Sequence, residues 1–155
     1  MMSKTWRIIS IIFTFILFVT AGTIGKKCGG ETVGEISSKN KGFTPEEIRS
    51  IDFLSEISAG LNKETPRMID KETQLYKTLA RQGELIYQYI MVNYPAAYYN
   101  SNQRISNFKP ILRSKTCNSR LKSFLENGVS ITYQYYGKDR KHIATFTITP
   151  ADCGY

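Results

Sequence analysis

From Ile8 to Gly25 the chain carries no charge, and this run limits what its start can become. It reads IISIIFTFILFVTAGTIG, and its densest apolar part, Ile8 to Val19, is about 12 residues long. Lys4 and Arg7 precede it. A basic start, an apolar stretch of roughly 7–15 residues and then small residues form the pattern of a secretory signal. Val19-Thr20-Ala21 offers a signal peptidase site, and Thr23-Ile24-Gly25 a weaker one. The competing reading is an uncleaved transmembrane anchor. About 18 uncharged residues lie near the lower limit for spanning a bilayer, and Lys4 and Arg7 would then stay cytoplasmic. Under either reading residues 1–25 deliver the remainder across a membrane. Cys28 does not fit a lipidation site, because Lys26 and Lys27 stand where a small apolar run is required.

Residues 26–42, KKCGGETVGEISSKNKG, lack apolar periodicity and read as a Gly/Ser/Lys-rich linker. Residues 43–155 are one domain's worth of chain. A helix is predicted from Thr44-Pro45-Glu46-Glu47, where Thr44 caps, Pro45 suits the first helical position and Glu47 completes a capping box. Ile48, Ile51, Leu54, Ile57 and Leu61 recur at three and four residues and form one apolar stripe, which should end near Asn62.

A hairpin is predicted over 74–93, turning at Gln82-Gly83, and its second strand is apolar on both faces, which places it centrally in a sheet. Tyr94 to Asn102 read as a loop. Two short helices follow, Gln103 to Ser114, kinked at Pro110, and Asn118 to Glu126, stopped by Asn127-Gly128. Val129, Ile131, Tyr133 and Tyr135 alternate with polar residues, as do Ala144, Phe146 and Ile148 after a turn at Gly137-Lys138-Asp139, giving a second hairpin. The expected fold is α+β: an antiparallel sheet of about four strands with helices packed on one face.

The net charge of +8 falls to +6 if the leader is removed before Lys26, since Lys4 and Arg7 go with it. A basic mature domain favours acidic partners or an anionic membrane surface. Catalytic signatures are sparse. The single histidine, His142, lies at a strand start beside Arg140 and Lys141, with no cysteine or carboxylate at a metal-like spacing. There is no Gly-x-Ser-x-Gly elbow and no phosphate-cradling glycine loop. Ser114-Lys115 is an adjacent pair, a poor arrangement for a serine nucleophile and its base. Glu46-Glu47 suit a helix start, and Asp70 and Glu72 suit a turn before the first strand. The segment YQYYGKDRKHIATF mixes aromatics with cations, a combination able to hold single-stranded nucleic acid. Tyr133 and Tyr135 share the face of Val129 and Ile131, however, and so belong to the core, and an exported domain seldom meets nucleic acid. No catalytic, cofactor or metal residues are predicted.

Three cysteines allow one internal bridge. Cys28 lies in the linker. Pairing of the last two strands returns the chain end beside the second helix, near Cys117, and export places both thiols in an oxidising compartment. The expected disulfide is Cys117–Cys153.

Several stretches together resemble a family of small exported bacterial proteins of unassigned function. They are Leu61-Asn62 with Pro66-Arg67-Met68-Ile69-Asp70, Glu72-Thr73-Gln74-Leu75, Tyr87-Gln88-Tyr89, Val92-Asn93-Tyr94, Leu112, Cys117, Asn127-Gly128-Val129, Tyr133-Gln134-Tyr135 and Thr149-Pro150-Ala151-Asp152-Cys153. Arg67 and Ile69 depart from the family's small or apolar residues. The resemblance implies the fold and export, and brings no catalytic residues with it. The expected function is a non-catalytic, periplasmic or membrane-tethered envelope module that meets a protein, lipid or glycan. The alternatives are a small envelope hydrolase and a phage- or plasmid-type exclusion or immunity protein.

Overall fold

The computed structural model of the chain describes residues 42–100 and 108–155. The predicted leader over 1–25, the linker up to residue 41 and Cys28 lie outside the described residues. No helix among the described residues is long and apolar enough to cross a membrane.

The first helix, α1 (Pro45–Arg49), begins with the expected capping box. Thr44 Oγ1 accepts from Glu47 N at 3.2 Å and Glu47 Oε2 accepts from Thr44 N at 2.7 Å. The predicted single helix is broken at Ser50, whose extended backbone ends α1 and caps α2 (Ile51–Asn62) through its own hydroxyl. The break makes Ile51 the first residue of the new helix. Leu54 and Ile57 are buried, but Ile51, predicted on the same stripe, is exposed.

The sheet has five strands in the order β1 (Arg67–Met68), β2 (Thr73–Arg81), β3 (Glu84–Met91), β4 (Ser130–Gly137) and β5 (His142–Ile148). The α+β class holds, while the strand count and the direction of one pair differ from expectation. β1, only two residues long, adds an edge in what reads as a loop. The two hairpins, β2–β3 and β4–β5, are antiparallel, but β3 and β4 run parallel. A parallel pair needs a crossover of a dozen or more residues. Residues 92–129 supply it, carrying α3 (Ala96–Asn100), α4 (Phe108–Cys117) and α5 (Lys122–Glu126). The crossover returns the chain to the start of β3, where Ser130 N donates to Gly83 O at 2.9 Å. α3 occupies residues predicted as loop. Within the described part of α4 the helix continues through Pro110 without a break. Gly128, with φ of +85°, ends α5 as the sequence predicts.

Register shows that α2 and α4 share one face. Thr78, Tyr87, Tyr133 and Phe146 pair in one row across β2 to β5. Thr78 Oγ1 lies 3.0 Å from Ser58 Oγ of α2, and Tyr133 Oη lies 2.8 Å from Thr116 Oγ1 of α4. Both helices therefore sit above the same row, over opposite sides of the sheet. Leu85, Ile131 and Ile148, fully buried, pair in the next row and join Leu54 and Leu125 in the core.

Candidate functional site

The sequence contains Tyr-Gln-Tyr twice, at 87–89 and 133–135. Parallel pairing sets the two triplets side by side in register: Tyr87 opposite Tyr133, Gln88 opposite Gln134, Tyr89 opposite Tyr135. Because successive strand side chains point to opposite faces, all four tyrosines share the helix-bearing face. Both glutamines share the other face, where Gln88 Nε2 donates to Gln134 Oε1 at 2.7 Å.

The rings form a continuous stack. Centroids lie 5.9 Å apart for Tyr87–Tyr133, 6.4 Å for Tyr89–Tyr133 and 5.3 Å for Tyr89–Tyr135, all near-parallel. Phe108 of α4 and Phe146 of β5 extend the cluster beyond Tyr135. Such pairs gain about 0.5–1.5 kcal/mol each beyond the area they bury. Tyr133 is buried, as the sequence predicts, whereas Tyr87, Tyr89 and Tyr135 are only half-buried. Burial pushes all four phenols up, that of Tyr133 to about 12 against the pull of its Thr116 hydrogen bond; neighbouring phenols add to the rise for Tyr87, Tyr89 and Tyr135. Among the described residues no group hydrogen-bonds the hydroxyls of Tyr87, Tyr89 or Tyr135. Arg67, which pairs with Leu75 in the row that contains Tyr89, stands at the sheet edge and pulls the Tyr87 and Tyr89 phenols slightly back down.

The remaining candidates from the sequence do not converge. His142 is exposed, 2.8 Å from Thr145 Oγ1 and edge-on to Tyr136. Asp70 Oδ1 accepts from Glu72 N and Thr73 N at 2.7 Å and so shapes the turn into β2. Glu46 pairs with Arg49. Ser114 lies exposed on α4, and its carbonyl accepts from Asn118 Nδ2 at 2.6 Å. Among the described residues no group of three or more His, Cys, Asp or Glu could hold a metal ion.

Cys117 and Cys153 form a disulfide, with Cα atoms 5.5 Å apart. It joins the end of α4 to the 3-10 turn Ala151–Cys153 that follows β5. That turn is set by Asp152, whose carboxylate accepts from the Thr149 amide at 2.8 Å and the Thr149 hydroxyl at 2.9 Å. These bonds, with Lys109 and Arg113 nearby, hold the Asp152 carboxyl below the usual carboxylate range.

Alternation places Tyr133 and Tyr135 in the core but assigns no role to Tyr87, Tyr89 or Arg67. The signal that could have found them is the repeated triplet, which becomes informative once β3 and β4 are known to be neighbours in register.

No family model and no curated protein matches the sequence. The similarity lies in the fold. A candidate secreted protein of Pseudomonas aeruginosa aligns with a TM-score of 0.58 and 16% identity, over 80% of this chain and 99% of that one. The pilotin EpsS of the Vibrio vulnificus type 2 secretion system aligns at 0.57 and 12% identity, over 72% and 96% of the two chains. The type II secretion system pilotin AspS of Vibrio cholerae aligns at 0.50 and 16% identity, over 66% and 91%. At these identities what is shared is the α+β fold: a mixed sheet with its helices, spanning nearly the whole of each of those proteins.

Proposed function

We propose that this protein is an exported, non-catalytic interaction module of the bacterial envelope, and that its tyrosine face receives a segment of another envelope protein. The observation that carries the reading is the register of the two Tyr-Gln-Tyr triplets. It builds a rigid aromatic surface, half-buried between α2 and α4, with a guanidinium at its edge. Tyrosine and arginine are enriched where protein interfaces concentrate their binding energy. A tyrosine ring offers large contact area at little entropic cost, and its hydroxyl supplies a directional hydrogen bond. Export is supported by the basic and apolar start of the chain, by the resemblance to small exported bacterial proteins and by the secretory character of the proteins that share the fold. The pilotins among them belong to secretion systems, and none of the described residues assembles a catalytic set.

The test is site-specific photo-crosslinking in cells. A photoreactive phenylalanine analogue at Tyr89 or Tyr135 should yield a discrete adduct with one envelope protein. The same analogue at Thr145, on the opposite face, should not. Equal labelling from both faces, or no adduct from a folded and exported protein, would overturn the reading.

A further inference from the structure

Between Glu84 and Glu126 the sequence contains no carboxylate, but it contains six cations, Arg104, Lys109, Arg113, Lys115, Arg120 and Lys122. Five of them fall on or beside α4 and α5. Lys109 and Arg113 lie one helical turn apart, so their side chains emerge from the same side of α4. Both are exposed, on the flank of α4 that adjoins the stripe of Leu112 and Thr116 buried against the sheet. Beside Lys109 and Arg113, α4 and the C-terminal turn flank an open groove of about 690 Å³. Its lining combines the apolar Pro110 and the Cys117–Cys153 disulfide with Ser114, the two cations and Asp152.

The groove's own acid does not saturate its cations. Asp152 uses Oδ2 to hold Thr149, and Oδ1 stands 4.0 Å from Lys109 Nζ, beyond direct hydrogen-bond reach. Arg113 acts on Asp152 from a distance and makes no direct ion pair among the described residues. A groove lined by both apolar and cationic groups suits an inserted chain better than a flat lipid surface.

We propose that this groove is a second docking site, separate from the tyrosine face, for an acidic, apolar-sided peptide segment of a partner protein. Carboxylates of that segment pair with Lys109 and Arg113, and its apolar side chains lie on Pro110 and the disulfide. Charge complementarity of this kind steers association and fixes register, and it weakens as salt screens it.

The experiment uses the protein purified from the envelope with its disulfide intact. Binding of a fluorescein-labelled peptide of Glu and Leu residues is followed by anisotropy, beside a counterpart in which every Glu is Gln and beside phosphatidylglycerol vesicles. The expected result is binding of the Glu peptide that falls with added salt, with the Gln peptide at least about tenfold weaker. The double substitution Lys109→Ala with Arg113→Ala should weaken the Glu peptide by about tenfold, the range two exposed ion pairs can supply. Arg120→Ala with Lys122→Ala, outside the groove, should leave binding within about twofold, and circular dichroism confirms that both variants are folded. Equal binding of the two peptides, equal loss from both double variants, or no peptide binding would overturn the proposal. Vesicle binding without peptide binding would overturn it too and assign the basic surface to lipid.

Discussion

Asn62 illustrates how one side chain completes the sheet. Its amide clamps the backbone of Thr78, with Oδ1 accepting from Thr78 N at 2.7 Å and Nδ2 donating to Thr78 O at 2.9 Å. β1 is too short to pair with β2 this far along, so Thr78 lies on an edge whose backbone groups require another partner. Asn62→Ala should cost about 2–3 kcal/mol, the sum of two unmade bonds at a half-buried site, measured by urea unfolding. The clustered tyrosines make a second prediction at this scale. Their phenols ionise at raised pH because the fold favours the neutral form, and the ordinary value is 10.0. Their contribution to stability is therefore whole below about pH 10 and is lost as pH rises through the raised values. Ultraviolet titration should show a late-ionising class, and unfolding the protein in denaturant should abolish it. Tyr87→Phe with Tyr89→Phe should shrink that class. An unchanged titration after unfolding would contradict the burial described for these rings.

At the scale of elements, α2 is the helix whose packing is easiest to test. Leu54 is fully buried and Ile51, three residues earlier, is exposed. Leu54→Ala should therefore destabilise by about 2–5 kcal/mol, and Ile51→Ala by no more than about 0.5 kcal/mol. Comparable losses at the two positions would mean that the first turn of α2 is packed as well as its middle. The sequence stripe included both residues. The period holds, but Ser50 caps a new helix that puts Ile51 at its first position, where the side chain is left exposed, and a stripe pattern cannot register a break that costs only one residue. Gly137 shows a packing constraint of the opposite kind. A Cβ at this position would collide with the backbone of Pro95 and Ala96, so the end of β4 and the start of α3 can meet only at glycine. Asp139 Oδ1 reinforces the contact by accepting from Ala96 N at 3.0 Å, and the bond holds its carboxyl below the ordinary range.

At the scale of the whole molecule, the disulfide ties the crossover to the end of the sheet. Cys117 and Cys153 are 36 residues apart, and closing a loop of that length restricts the unfolded chain by about 4 kcal/mol. Replacing both cysteines by serine should lower stability by about that amount, a large share of the total for a domain of this size. Thermal unfolding under matched conditions measures it, and a loss below about 1 kcal/mol would show that the turn is held without the bridge. By itself the sequence determined what local chemistry controls. The capping box at Thr44, both hairpins, the glycine stop at Gly128 and the α+β class follow from neighbours within a few residues, where alternation and turn residues act directly. It did not determine the two-residue edge strand β1, which has too few residues to carry a period. Nor did it determine the direction of β3 relative to β4, because that pairing bridges 38 intervening residues. Either orientation would bury the same apolar side chains. Only the tertiary crossover makes β3 and β4 parallel neighbours, and only their pairing in this register sets the two Tyr-Gln-Tyr triplets side by side. The aromatic face is therefore written in the sequence as two ordinary tripeptides, and it becomes one surface through a long-range choice that no local rule expresses.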